Sequence, residues 1–237
     1  MNDLMVPQYE VTLPYIDKTV SVRPFLVKEE KLLLLAASSN DENEIIQTTL
    51  QVVQNCILDD TKVDKLPFFL VDYLFITLRA KSVGDKVKIN FRCENTLVDG
   101  NKCHSIFESD LDILDAKFKQ DTKSDRDIKL GPDFGVRMRW PTYAELKRIP
   151  ENLDDFEQKF QLLQCSIDMY YTKDTVVSQK DTSDNFKSFL ENLTEGQYRK
   201  LFDWVRAFPN FYIEVEENCP KCGFKHKVQY KEFGSFF

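Results

Sequence analysis

The chain has 237 residues, 42% of them hydrophobic and 30% charged, a balance that excludes a disordered or fibrous polypeptide and leaves room for one large domain or two modest ones. Lys and Arg number 32 against 39 Asp and Glu, so the net charge of −7 argues against a protein built to coat duplex nucleic acid. The longest apolar runs, Leu32–Ala37 and Pro67–Val71, are far too short to cross a bilayer, and Met1–Glu10 contains no apolar secretory core; the expectation is a soluble cytosolic protein. Only 7 Gly against 19 Phe predicts few flexible linkers and many large apolar anchors.

In chain order, Tyr9–Leu13 and Thr19–Arg23 are β-prone runs that predict an opening hairpin, ended by Pro24. Lys28–Ser38 reads as a helix. Ile46, Leu50, Val53 and Ile57 recur at helical spacing and predict a second. Leu66–Lys81 is apolar on nearly every side, the pattern of a buried helix. Lys86–Arg92 alternates polar and apolar residues as a half-buried strand does; Asp99-Gly100 predicts a turn and Ser105–Glu108 the returning strand. Lys117–Asp127, polar and charged, reads as a linker. Asp127–Leu130 and Val136–Trp140 flank a Gly-Pro-Asp-Phe-Gly turn and predict another hairpin.

Thr142-x-x-Glu145 is a capping box with Pro150 as its stop. Leu153, Phe156, Phe160, Leu163, Ile167 and Tyr170 form a one-sided stripe that predicts a helix throughout. Asp174–Asp184 reads as a polar loop. Helices are expected over Phe186–Leu193 and Gln197–Ala207, the second opened by Thr194-x-x-Gln197, and strands over Phe211–Val215 and Lys227–Tyr230.

Cys219-Pro220-Lys221-Cys222-Gly223 lies between the last two strands. Two thiolates separated by two residues can grip one Zn²⁺, and a Gly after the second permits the positive φ such a knuckle needs. Cys93 and Cys103, at the ends of the mid-chain hairpin with nine residues between them, can supply the other two ligands. A structural Cys93, Cys103, Cys219, Cys222 zinc site is the leading reading, with a redox dithiol and metal-free knuckles as alternatives. His104 and His226 read as solvated imidazoles beside the thiols, and Cys56 and Cys165 as small buried hydrophobes.

No GxxxxGK[ST], GxGxxG or HExxH motif occurs, and the only two histidines both sit beside the knuckles, so no catalytic set emerges. Arg79, Lys81, Lys86, Lys88 and Arg92 lead into the first cysteine hairpin, and Lys221, Lys225, Lys227 and Lys231 surround the second. They read either as a solvated face or as a docking patch; the tail Phe233, Phe236 and Phe237 reads as apolar anchors. The predicted fold is α+β: a helical body with short antiparallel β-hairpins and a split zinc-ribbon-like module. The expected domains are 1–84 (hairpin plus helices), 85–116 with 208–237 (the cysteine β module) and 117–207 (hairpin plus helices).

Val22-Arg23-Pro24-Phe25-Leu26-Val27-Lys28-Glu29-Glu30-Lys31 resembles the RPF opening of the T-even-type bacteriophage baseplate protein family, its hub-associated set. Tyr73–Gly84, with its Leu78-Arg79-Ala80-Lys81-Ser82-Val83-Gly84 block, is similar to that family as well, as are the Cys219–Gly223 knuckle and the Phe-Phe terminus. The resemblance runs from about Val11 to the end. It implies a non-catalytic protein of a contractile-tail phage that is a component or an assembly factor of the baseplate hub. Its partners would be other hub or tail proteins, met in the host bacterial cytoplasm during assembly or in the virion tail. One departure is that the first cysteine pair is not a compact CxxC. The alternative function is a zinc-ribbon nucleic-acid-binding phage regulator, supported by the basic stretches and opposed by the net charge.

Overall fold

A computed structural model describes residues 6–39, 41–115, 117–119, 125–178 and 183–230. In chain order its elements are β1 (Tyr9–Leu13), β2 (Lys18–Val22), α1 (Val27–Ser39), α2 (Glu42–Cys56), α3 (Phe68–Val83), β3 (Lys86–Arg92), β4 (Ile106–Asp112), β5 (Lys117–Lys119), β6 (Asp127–Lys129) and β7 (Gly135–Met138). There follow α4 (Tyr143–Leu146), α5 (Asp155–Cys165), β8 (Ile167–Tyr171), β9 (Val176–Ser178), α6 (Ser183–Glu191), α7 (Glu195–Arg206), β10 (Asn210–Asn218) and β11 (Lys225–Tyr230). The fold is α+β, and every strand pairing is antiparallel. Among the described residues no helix is long and apolar enough to cross a membrane.

The chain divides into two compact units. The first draws its described residues from 1–63, 69–119 and 210–237, the second from 64–68 and 120–209. In the first unit, β1 and β2 pair with Val11 opposite Val20, so that Val11, Leu13, Val20 and Val22 all face inward, as period-two alternation requires. Asp41 caps α2 by accepting from the Asn43 N–H at 2.9 Å. The buried face of α3 carries Phe69, Leu70, Leu74, Phe75 and Leu78.

Arg23 joins these pieces. Its guanidinium donates to the Glu29 carboxylate at 2.8 and 3.2 Å, to the Pro24 carbonyl at 2.9 Å and to the Asn55 carbonyl, at the end of α2, at 2.9 Å. The Phe25 N–H donates to Ser82 Oγ at 2.7 Å, and the Phe25 ring lies 5.8 Å from that of Phe75. The Arg-Pro-Phe segment therefore meets the Tyr73–Gly84 segment through a hydrogen bond to Ser82 of its Leu-Arg-Ala-Lys-Ser block and an aromatic contact with Phe75. The rest of this unit is the β3–β4 hairpin and a three-stranded sheet ordered β11-β10-β5.

The second unit packs α4–α7 with a four-stranded sheet ordered β6-β7-β8-β9. Its core gathers Val136, Met138, Leu163, Ile167, Phe186 and Leu201 around Trp204. Both capping boxes are present, at Thr142/Glu145 and Thr194/Gln197.

Three expectations are corrected. The stripe from Leu153 to Tyr170 is not one helix: α5 runs only from Asp155 to Cys165, with the Asp154 side chain capping its start. It ends where the Ser166 hydroxyl donates back to the Leu162 carbonyl at 2.6 Å, and Ile167 and Tyr170 instead belong to β8, whose pairing with β7 and β9 outweighs the helical period. Val176–Ser178, read as loop, pairs with β8 as β9. Lys117–Lys119, read as linker, pairs with β10 as β5; residues 120–124 of that stretch lie outside the described residues.

Candidate metal centre

Each cysteine pair ends a hairpin. β3 and β4 pair in register from Lys86 with Asp112 to Arg92 with Ile106, which delivers Cys93 and Cys103 just beyond the last pair. β10 and β11 pair from Ile213 with Tyr230 to Asn218 with Lys225, which leaves Cys219 and Cys222 in the connecting turn. The first unit brings the two turns together. Cys93 Sγ lies 3.7 Å from Cys222 Sγ, Cys103 Sγ lies 3.8 Å from Cys219 Sγ, and all four sulfurs fall within 4.8 Å of one another. All four are free thiols. Cys93, Cys103 and Cys219 are buried and Cys222 is half-buried.

These separations are far longer than a disulfide bond of about 2.05 Å. They fit a metal cage: four Zn–S bonds of about 2.3 Å in a tetrahedron have S···S edges of about 3.8 Å. The cluster can thus hold one thiophilic ion such as zinc.

The two knuckles share one backbone pattern. The Cys93 N–H donates to the Ser105 carbonyl at 2.8 Å and the His104 N–H to the Cys93 carbonyl at 2.9 Å. In the second knuckle the Cys219 N–H donates to the Phe224 carbonyl at 2.9 Å and the Gly223 N–H to the Cys219 carbonyl at 2.8 Å. In both, the residue after the second cysteine is left-handed, with φ of 50° at His104 and 71° at Gly223. The longer stretch between the cysteines of the first knuckle, Glu94–Lys102, is extruded as a small turn closed by Cys103 N–H to Asn95 O at 2.9 Å and Leu97 N–H to Asn101 O at 2.8 Å. Two additional interactions secure the pair: Asn95 Nδ2 lies 3.7 Å from Cys222 Sγ, and Lys221 Nζ donates to the Cys103 carbonyl at 3.3 Å.

Charge inside the cage is uneven. Burial and the surrounding thiols push Cys93 up to about 12 against the opposing Asn95 N–H, and burial raises Cys103 as well. At Cys219 burial also disfavours charge, but the Cys222 and Lys221 N–H groups aim at its sulfur and bring it down to about 6. One thiolate is thus readily formed, and further negative charge in so small a cage needs a cation to balance it.

A ring layer supports the sulfurs. Phe91 and Phe107 are cross-strand partners stacked at 5.2 Å, and His226 packs against both at 5.9 and 5.8 Å and against Phe224 at 5.0 Å. His226 is therefore not the solvated imidazole its position suggests: among the described residues its Nε2 is buried without a hydrogen bond. His104 is exposed. Asn95, Leu97, Phe107 and His226 are the supporting residues that spacing alone does not reveal; the alternation of Phe91 with Cys93 is the one available hint. Cys56 and Cys165, outside the cluster, are both held protonated by burial, at about 11.

Arg79 and Lys81 lie on α3. Arg79 is half-buried beside a cavity of about 100 Å³ shared with Phe25, Glu30 and Leu33; burial lowers its pKa and Glu30 raises it. Lys81 Nζ sits 5.0 Å from the centre of the Tyr9 ring. The basic residues along the hairpins are largely answered by their own carboxylates: Lys88 by Glu108, Arg92 and Lys102 by Glu94, Lys225 by Glu216, and Lys227 by Glu214 and Glu216. Phe233, Phe236, Phe237 and Lys231 lie outside the described residues.

Neither a curated protein sequence nor a solved structure matches the chain. A protein family described as T4 bacteriophage base plate protein does, over residues 6–237, a span that takes in both units and all four clustered cysteines. On that match the chain belongs to the T4 bacteriophage base plate protein family.

Proposed function

We propose that this chain is a non-catalytic structural or assembly protein of the baseplate hub of a contractile-tail phage, that it works by protein–protein contact, and that one structural zinc ion on Cys93, Cys103, Cys219 and Cys222 locks its two cysteine hairpins together. The observation that carries this reading is family membership over nearly the whole chain. The Arg-Pro-Phe and Leu-Arg-Ala-Lys-Ser segments, which resemble the hub-associated set, favour the hub over other parts of the baseplate. Four protein sulfurs fill a tetrahedral ion, leaving no open position for substrate, so the metal serves the fold. Val27, Leu34 and Leu35 on α1 are apolar and exposed, the kind of surface a contact protein offers to neighbours.

Purification of the tagged chain from infected cells, followed by mass spectrometry of finished particles, tests the reading. Hub or tail proteins should co-purify, and presence or absence in the particle separates component from assembly factor. A chain that travels without any baseplate protein overturns it. Metal analysis should find one zinc per chain, with the four thiols unreactive until chelation. The nucleic-acid regulator needs a free positive row; because Lys88, Arg92, Lys225 and Lys227 are ion-paired, it is the weaker reading, and binding to DNA or RNA at low salt should be absent.

A further inference from the structure

In the second unit α5, α6 and α7 leave an open groove of about 390 Å³, toward the small end of the size range of ligand pockets. Phe156, Phe160, Leu190, Leu193 and Tyr198 give it an apolar and aromatic lining. Phe156 is 64% exposed, although it falls on the apolar stripe of α5. Its ring lies 6.2 Å from that of Tyr198, which in turn stacks near Phe160 at 6.5 Å and Phe202 at 6.2 Å. Such a row of rings attracts cations as well as apolar groups.

The charged residues of the groove are unbalanced: Glu157, Glu191 and Glu195 stand against Lys187 alone. Glu195 is paired with Arg199 at 2.8 Å, and among the described residues Glu157 accepts only from the neutral Gln161 amide at 3.3 Å. Glu157 and Glu195 sit in first helical turns, where a carboxylate also favours the helix. Glu191 has no such reason, because it ends α6, where the helix dipole opposes negative charge. Tyr198 supplies an independent sign: among the described residues its hydroxyl is buried without a hydrogen-bond partner. Burial and the nearby Glu157 charge both raise its pKa, so it stays a neutral hydroxyl able to accept from a cation.

We infer that this groove docks a partner polypeptide through a basic side chain, arginine or lysine, flanked by apolar residues. The carboxylates answer its charge, the rings of Phe156 and Tyr198 hold its stem, and the Tyr198 hydroxyl can accept from its head. The inference rests on the reading of the chain as a contact protein and names the chemistry of one contact.

The test titrates the isotopically labelled full chain with an acetylated, amidated pentapeptide, Leu-Arg-Phe-Arg-Leu, and with the same peptide carrying Glu in place of Arg, following amide shifts by NMR. The basic peptide should saturate, with the largest shifts around Phe156, Leu193 and Tyr198, and its affinity should fall with added salt. The acidic peptide should not bind. The double substitution Glu157→Gln with Glu191→Gln should weaken binding by about tenfold, as loss of charged partners does at an interface. Phe156→Ala, at an exposed position, should weaken it without altering the fold seen by circular dichroism; Tyr198→Phe, which keeps the ring, should weaken it less. Equal binding of both peptides, shifts centred elsewhere, or no saturable shift from either peptide at millimolar concentration each overturn the proposal. A chain that co-purifies with baseplate proteins yet fails here loses only the groove; one that binds here yet meets no baseplate protein loses the functional reading.

Discussion

Glu29 is 1% exposed, and a carboxylate so placed stays ionised only because its surroundings answer it. Burial alone would raise its pKa; the Arg23 guanidinium and the Leu26 N–H, donating at 2.6 Å, outweigh that and hold it below the usual carboxylate range. Removing the cation strands the charge, so Arg23→Ala should cost about 3–5 kcal/mol in denaturant unfolding. The sign of the pH dependence follows from the lowered pKa. Ionised Glu29 adds stability at neutral pH, and that contribution drains away as pH falls from about 4.3 through its lower folded value. The stability gap between the parent and Glu29→Gln, measured across an acid series, should therefore shrink below about pH 4. At the sulfurs, Cys222→Ser should remove the metal and lower the melting temperature, while Cys165→Ser should leave the metal content unchanged because that thiol lies outside the cluster. Metal analysis and thermal unfolding of the two variants check this.

At the scale of single elements, the two cysteine knuckles are one structure written with two spacings. The matching N–H to carbonyl bonds around Cys93 and Cys219, with left-handed residues at His104 and Gly223, mean that Glu94–Lys102 is added outside the cage rather than within it. Replacing Glu94–Lys102 by Pro-Lys, so that the first knuckle copies the second, should keep one metal per chain. It should cost some stability, because Leu97 packs on the cluster and Asn95 contacts Cys222. Gly223→Ala has open space for its methyl group but must hold φ near 71°, and should cost about 1–2 kcal/mol by thermal unfolding. The sulfurs are legible in the sequence because cysteine is rare and the flanking strands alternate cleanly, so two knuckles announce themselves. Capping boxes are legible for the same reason: Thr142/Glu145 and Thr194/Gln197 are local chemistry. The register of β8 is not. Leu163, Ile167 and Tyr170 keep the spacing of a helix face, so the local pattern favours a helix, and the choice of strand is made by pairing with β7 and β9, which no local pattern reveals. Phe156 is misread with it: on a long helix it belongs to a buried stripe, whereas on α5 it faces a groove.

At the scale of the whole molecule, the question is what the cysteine cluster holds. β3–β4 and β10–β11 come from distant parts of the chain, and among the described residues few polar contacts join them: Ser109 to Glu217 at 2.5 Å, Asn95 to Cys222, and Lys221 to Cys103. The apolar residues next to the cluster are Phe91, Phe107, His226 and Leu97, and further along the same strands Leu111, Ile213 and Val215 are buried as well. A metal on four sulfurs would add to the free energy that joins these hairpins, since structural zinc contributes to folding directly. The second unit is different: it carries its own apolar core around Trp204 and none of the four clustered cysteines. Chelation should accordingly act on one unit. With a strong chelator present, amide exchange should accelerate in β3, β4 and β11, whereas β7 and β8, which depend on Val136, Met138 and Ile167, should keep their protection. Uniform loss of protection through both units would mean that the metal site stabilises the whole chain as one cooperative body, and unchanged exchange everywhere would mean that the sulfurs hold no structural ion at all.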